Sequence, residues 1–244
     1  VNLRRWGKQK TAQCSLCKWK NCSLIHILCS CRVALDQGRI SWRHDSILGA
    51  IVKHIKTSLN THKNVHKSCQ PTPPQSYFIK QGEKPKKVKK RTACFWGKGT
   101  DWTILMDTRS QQYRIPPEIA SSSLRPDICI YSNSVKTVCF VELTSPAEEN
   151  TAYWRARKTQ KYLSLLEEAR DNGYKTYCKT IEVGARGFVS IPSMNIFSLL
   201  GFNWKEKDKI RRELSKIAIR CSHYIWINRD NATWQSPNRV CEPN

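Results

Sequence analysis

The sequence predicts a mixed α/β domain behind a small Cys-rich module, and three observations support this. Five of the twelve cysteines crowd into residues 14–31. Short apolar runs of strand length recur near 101–109, 124–146 and 174–184, between stretches of helical periodicity. A chain of 244 residues is long enough to bury roughly 70% of its surface as one ordinary domain plus a module.

The module comes first, over residues 1–35. Its core, "CSLCKWKNCSLIHILCSC", offers Cys14-x2-Cys17-x8-His26-x4-Cys31. Zinc takes four soft or borderline ligands in a tetrahedron, and a two-residue gap lets one tight turn supply two thiolates. Cys22 and Cys29 are further thiols, and Cys29 could replace Cys31. The competing reading is a cluster of free or paired cysteines. A unit this small has little core of its own, which favours a metal staple. His44, His54, His62, His66 and His223 read as ordinary surface or helix residues.

Residues 36–59 hold an amphipathic helix, with Ile47, Leu48, Ile51, Val52 and Ile55 at helical spacing. Residues 60–92, with "QPTPPQ" and "KPKKVKKR", read as a basic linker or insertion. A domain over 93–230 follows. "DWTILMDTR" alternates as a strand, and "LRPDICIYSNSVKTVCFVELTSP" (124–146) reads as a hairpin turning at Asn133-Ser134. Ser145, Pro146 and Glu148 match a capping box with proline in the first helical position, opening a helix that runs to Arg170. Gly173 then stops it in the left-handed conformation. A strand at "YKTYCKTIEVG" and a helix over about 205–222 complete the domain, and 231–244 is a polar tail.

Charge narrows the partner. Lys plus Arg number 42 against 19 Asp plus Glu, a net +23. That imbalance points to a polyanion, and nucleic acid is the first expectation. No apolar stretch approaches the ~20 residues of a membrane-spanning helix, so no membrane partner is expected. No signal peptide is visible, although the chain starts at Val1 and an upstream region could have carried one. Cys129 and Cys139 lie in apolar runs and read as small buried hydrophobes, a reducing-compartment pattern. "KPKKVKKR" resembles a monopartite nuclear import signal, with a solvated linker as the competing reading.

The hairpin places an acid near the outer end of each strand, Asp127 and Glu142. A turn at Asn133-Ser134 would pair Asp127 with Phe140 and put Glu142 on the same face, one pleat step away. Both acids stand in apolar context, where an unpartnered carboxylate is expensive. One solution is Mg²⁺, bound by one or two carboxylates and able to activate water at a phosphate. The other is a pair of solvated strand ends.

"RPD" followed after the hairpin tip by "VELT" and a Lys-rich helix resembles the restriction-like endonuclease domain of non-LTR retrotransposons, a relative of the PD-(D/E)xK enzymes. The Cys-rich module resembles the CCHC zinc knuckle that precedes that domain. The likeness extends through "GRISWRHDSIL", "RKTQKYLSLLEEARDNG", "IEVGARGF" and "CSHYIWINR". It implies a restriction-endonuclease-like fold, a central mixed sheet flanked by helices. It also implies metal-dependent nicking of DNA, with Mg²⁺ as the metal and RNA through the zinc knuckle as a second expectation; the nuclear expectation comes from "KPKKVKKR". Asp127 and Glu142 match the family acids, as catalytic residues and Mg²⁺ ligands. A typical PD-(D/E)xK enzyme has lysine two residues after the second acid, where this chain has Thr144. The basic residue is then expected in the following helix, at Lys158 or Lys161. The alternative is a decayed or repurposed copy that binds nucleic acid without cutting it.

Overall fold

A computed structural model describes residues 5–8, 11–68 and 95–237. The basic run at 84–91 lies outside the described residues, and so does most of the expected linker.

The module folds as a loop carrying Cys14 and Cys17, a π-helical turn His26–Ser30, and a short helix α1 (Arg32–Asp36). Gly38, at φ 78°, takes the left-handed turn that separates α1 from α2 (Arg39–Ser68). The expected helix at 36–59 is therefore real, but it runs on to Ser68. Its apolar stripe Ile47, Leu48, Ile51, Val52, Ile55 and Leu59 is buried.

The sheet has four strands in the order β1-β2-β3-β4: β1 (Thr103–Met106), β2 (Ile128–Ser132), β3 (Thr137–Thr144) and β4 (Lys175–Glu182). The first two pairings are antiparallel and β3–β4 is parallel. Every residue of β3 is buried, as a central strand covered on both faces requires. On one face, Ile128, Ile130, Cys139, Val141, Leu143 and Ile181 meet α2 and the last helix. On the other, Cys129, Val138 and Phe140 pack with Tyr162, Leu165 and Leu166 from the β3–β4 crossover. Cys129 and Cys139 are fully buried, and burial pushes both thiols well above the ordinary range.

Two local expectations are corrected. The hairpin turns through residues 133–136 rather than through two residues, with Lys136 at φ 44°. Asp101, just before β1, braces this wider loop by accepting from the backbone N–H groups of Asn133 and Ser134, each at 2.9 Å. Phe140 therefore pairs with Cys129, not Asp127. The slip is of two residues, so each side chain keeps its face.

The second correction concerns the crossover. No capping box forms at Ser145, and residues 145–147 stay irregular before a 3₁₀ turn Glu148–Asn150. Glu148 is held instead by Arg186, whose backbone N–H and Nε donate to its two oxygens at 2.6 and 2.7 Å. Gly184 permits this approach, since a Cβ there would lie 2.5 Å from Glu148 Oε1. The expected single helix is two, α3 (Thr151–Lys161) and α4 (Leu163–Asp171), broken at Tyr162. Gly173 ends α4 at φ 81°, as expected.

After β4 come a 3₁₀ turn Ile191–Met194, a short α5 (Asn195–Leu199) and α6 (Trp204–Ile227). A capping box between Asn203 and Glu206 opens α6. The start of the expected polar tail is packed: Trp234 meets Trp42 edge-on at 5.5 Å, and Arg39 lies over its ring at 5.0 Å. Among the described residues no helix is long and apolar enough to cross a membrane.

Candidate metal cluster and acidic site

The module gathers Cys14, Cys17, His26 and Cys31, whose ligand atoms all lie within 4.8 Å of one another. The local fold explains the gathering. Backbone bonds from Lys18 N to Cys14 O and from Cys14 N to Trp19 O close the tight turn that aims two thiols together. The π-helical turn and the start of α1 bring His26 and Cys31 to the same point. The Cys14 and Cys31 sulfurs are 3.9 Å apart, close to the ~3.8 Å edge of a tetrahedral site with ~2.3 Å Zn–S bonds. Cys17 Sγ lies 3.2 Å from His26 Nε2.

The cluster could hold a metal ion such as zinc. It also decides the choice left open in the sequence, because Cys31 belongs to it and Cys29 does not. Cys29 is the thiol beside Arg43; burial pushes it up, and the guanidinium pulls partly against that. Burial also lifts Cys31 to about 12, but for Cys14 backbone and thiol hydrogen bonds outweigh burial and the thiol is lowered. Burial lowers His26, which favours the neutral ligand form.

The acids stand at the opposite kind of site, the end of a sheet. Met106 pairs with Ile128, and Ile128 with Val141. One step further, the same ladders set Asp107, Asp127 and Glu142 in a row on the face covered by α3 and α4. Asp107 N donates to Asp127 O at 2.8 Å, and Asp127 N to Glu142 Oε2 at 3.3 Å. Glu142 is 3% exposed, so its charge must be met within the protein. Lys158 from α3 donates to Oε1, and the Tyr162 hydroxyl donates to Oε2 at 2.7 Å. Lys161 does not reach the acid; its Nζ lies 3.1 Å from the Tyr162 hydroxyl.

Asp127 Oδ2 accepts from Leu143 N at 2.6 Å and lies 3.4 Å from His44 Nε2. His44 Nδ1 in turn lies 3.1 Å from Asp45 Oδ1. Burial alone would lower this imidazole, but Asp127 and Asp45 on its two sides raise it to about 10. Asp107 is pushed up by burial, and its neighbours Asp127 and Asp45 add to the effect against Arg125. Its Oδ1 is buried without a partner.

No protein-family model matches the chain, and no curated protein matches it.

The structure thus brings Asp127, Glu142 and Lys158 together and holds Lys161 one residue contact away. Thr144 pairs with Glu182 in the β3–β4 ladder, one pleat repeat along the strand from Glu142 and on the same face. Sequence reasoning missed Asp107, Tyr162 and His44. Asp107 had a usable signal, an acid at the end of an alternating strand, like the other two. Tyr162 had none, since its role depends on the helix break. His44 read as an ordinary helix residue because its partner Asp127 is distant in sequence.

Proposed function

We propose that this chain is a metal-dependent DNA endonuclease of the restriction-like, PD-(D/E)xK type, with a structural zinc site in its N-terminal module. The observation that carries the reading is the row Asp127–Glu142 with Lys158 reaching Glu142 from the next helix. Two features agree with it: a mixed sheet flanked by helices, and a net charge of +23 suited to a polyanion.

The acidic row fits a hard divalent cation such as Mg²⁺. Its donors are carboxylate oxygens, and the buried, unpartnered Oδ1 of Asp107 lacks the charge a cation would bring. Asp127 and Glu142 would hold it. When bound, it supplies Lewis-acid charge at the phosphate and lowers the pKa of water. Lys158 would hold positive charge where the scissile phosphate gathers negative charge. His44 fixes the orientation of Asp127 from behind. Nuclear localisation belongs to the same reading and rests on residues 84–91 alone. The module gives RNA a second route of contact.

Plasmid nicking in Mg²⁺, comparing the natural chain with Asp127→Ala, tests the proposal. Nicking by the natural chain that Asp127→Ala abolishes is the expected result.

One observation favours a second reading, a nucleic-acid-binding protein that no longer cuts. Both oxygens of Glu142 and Oδ2 of Asp127 already have protein partners, so a metal would have to displace or share them. Binding of DNA without nicking by the natural chain would select this reading.

A further inference from the structure

Next to the acidic row lies an ion pair with a buried carboxylate that the proposed chemistry does not use. Glu182, the last residue of β4, is fully buried. Its Oε2 accepts from Arg155 Nη2 at 2.6 Å, Ser190 Oγ at 2.7 Å and Ser193 Oγ at 2.9 Å. Glu182 stands beside Thr144 in the parallel ladder, two residues along from the Glu142–Thr180 pair and on the same face.

Arg155 and Lys158 are three residues apart on α3 and so share a helix face. That face makes two ion pairs to adjacent strands, Arg155 to Glu182 on β4 and Lys158 to Glu142 on β3. Apolar packing adds little along the helix itself, although Arg186 anchors the turn before it through Glu148 and Glu149. Thr151 is the only buried residue of α3, and neither Ala147 nor Asn150 caps the turns that open it. By contrast α4 buries Leu165, Leu166 and Ala169. The rotation of α3 about its axis is therefore set mainly by polar contacts.

Stability does not account for the buried pair. Arg155 Nε, Glu182 Oε1 and Thr144 Oγ1 are buried without partners, and an ion pair whose carboxylate is buried and only partly bonded is no better a stabiliser than apolar packing. The Nη2 of Arg155 does supply direction, because it is tied at once to Glu182 Oε2 at 2.6 Å and to Ser190 Oγ at 2.8 Å.

We infer that Arg155 and Glu182 are positioning residues whose pair fixes the rotation of α3 so that Lys158 meets Glu142. The inference uses the endonuclease reading only for its kinetic consequence; the placement of Lys158 is measurable without it.

The test is reductive methylation of lysines in the full chain, read residue by residue by peptide mass spectrometry, with exposed Lys175 as reference. In the natural chain Lys158 should label slowly, because its amine is held by Glu142. Glu182→Gln should raise Lys158 labelling severalfold and leave Lys175 unchanged. Arg155→Lys, which keeps the charge but loses the planar guanidinium that reaches Glu182 and Ser190 together, should give an intermediate rate. Nicking kcat should fall by about ten- to hundredfold in Glu182→Gln, with KM for plasmid unchanged.

If a single variant fails to fold, Arg155→Met with Glu182→Met removes the pair without leaving a lone buried charge, and the same rise in Lys158 labelling is expected. Unchanged Lys158 labelling in folded variants would overturn the inference and reduce the pair to a staple. So would raised labelling with undiminished nicking. A natural chain that never nicks DNA, but whose Lys158 responds as described, would retain the positioning and remove the endonuclease reading.

Discussion

Tyr162 donates its hydroxyl to Glu142 Oε2 at 2.7 Å from the residue at which the β3–β4 crossover helix breaks. The break and the contact explain each other, since an unbroken helix would carry this side chain along a different line. Tyr162 is fully buried, so Glu142 has no solvent to replace the hydroxyl. Tyr162→Phe should therefore destabilise the fold by about 1–3 kcal/mol, the usual cost of leaving a buried acceptor short of a donor. Urea unfolding of the two chains measures it.

Replacing either acid should separate cutting from binding. Asp127→Ala and Glu142→Ala should abolish plasmid nicking while gel-shift affinity for DNA stays within about threefold, because phosphate contacts lie elsewhere. Lys158→Ala should lower nicking by about a hundredfold or more. Lys161→Ala should cost much less, since its amine stops at Tyr162. Equal losses for the two lysines would contradict the geometry.

His44 supplies a pH signature. Its folded-state value is raised to about 10 from an ordinary 6.5. A raised basic group stabilises fully below its unfolded value and loses that stabilisation as pH rises through the folded one. The stability gap between the natural chain and His44→Gln should thus be widest below pH 6.5 and close as pH approaches 10. Thermal melts across that range in magnesium-free buffer would show it. Added Mg²⁺ should pull the His44 titration down in NMR spectra, since a cation competes for Asp127.

The Cys-rich module should carry about one zinc per chain under reducing conditions. Elemental analysis checks this, and Cys17→Ser should lose the metal. Cys14, Ile27, Leu28 and Cys31 share a hydrophobic cluster with Ala185 and Ile225 of the α/β domain. Loosening should therefore spread past residue 35, with a fall of about 6–12 °C in Tm for a loss of ~3 kcal/mol.

DNA binding should weaken steeply with salt. A protein neutralising several phosphates loses affinity with a log–log slope of about −0.9 for each. Fluorescence anisotropy of a labelled duplex between 50 and 200 mM salt gives the slope, and a value near zero would refute a backbone-driven interface.

What the sequence shows of this fold depends on the distance between the groups involved. The stripe Ile47–Ile55 and the Cys14/Cys17/His26/Cys31 spacing are local patterns, and both are legible. The hairpin register is not, because Asp101 sets the loop width from outside the hairpin. Ser145 and Glu148 match a capping box, yet Arg186, far along the chain, takes the glutamate. The acid pair could be read from sequence as a conditional, since an even slip preserves the face. Of its partners, Lys158 is one of the two lysines expected in the following helix, whereas His44 and Tyr162 could not be read, because they arrive only once separate elements have packed.

Arg43 is fully buried with no carboxylate among its hydrogen-bond partners. Its guanidinium donates to Leu28 O in the module at 2.9 Å, to Ser222 Oγ on α6 at 3.1 Å, and to Ser145 Oγ and O at 3.2 Å. Ser145 directly follows β3, the strand that carries Glu142. The cation thus works as a keystone between the Cys/His cluster and the end of the strand that carries Glu142. A chelator acting at Cys14 would be felt as slack where Ser145 leaves the sheet. Any change at the thiols of the first thirty-five residues would in this way reach the strand end that carries Glu142, three residues from Ser145.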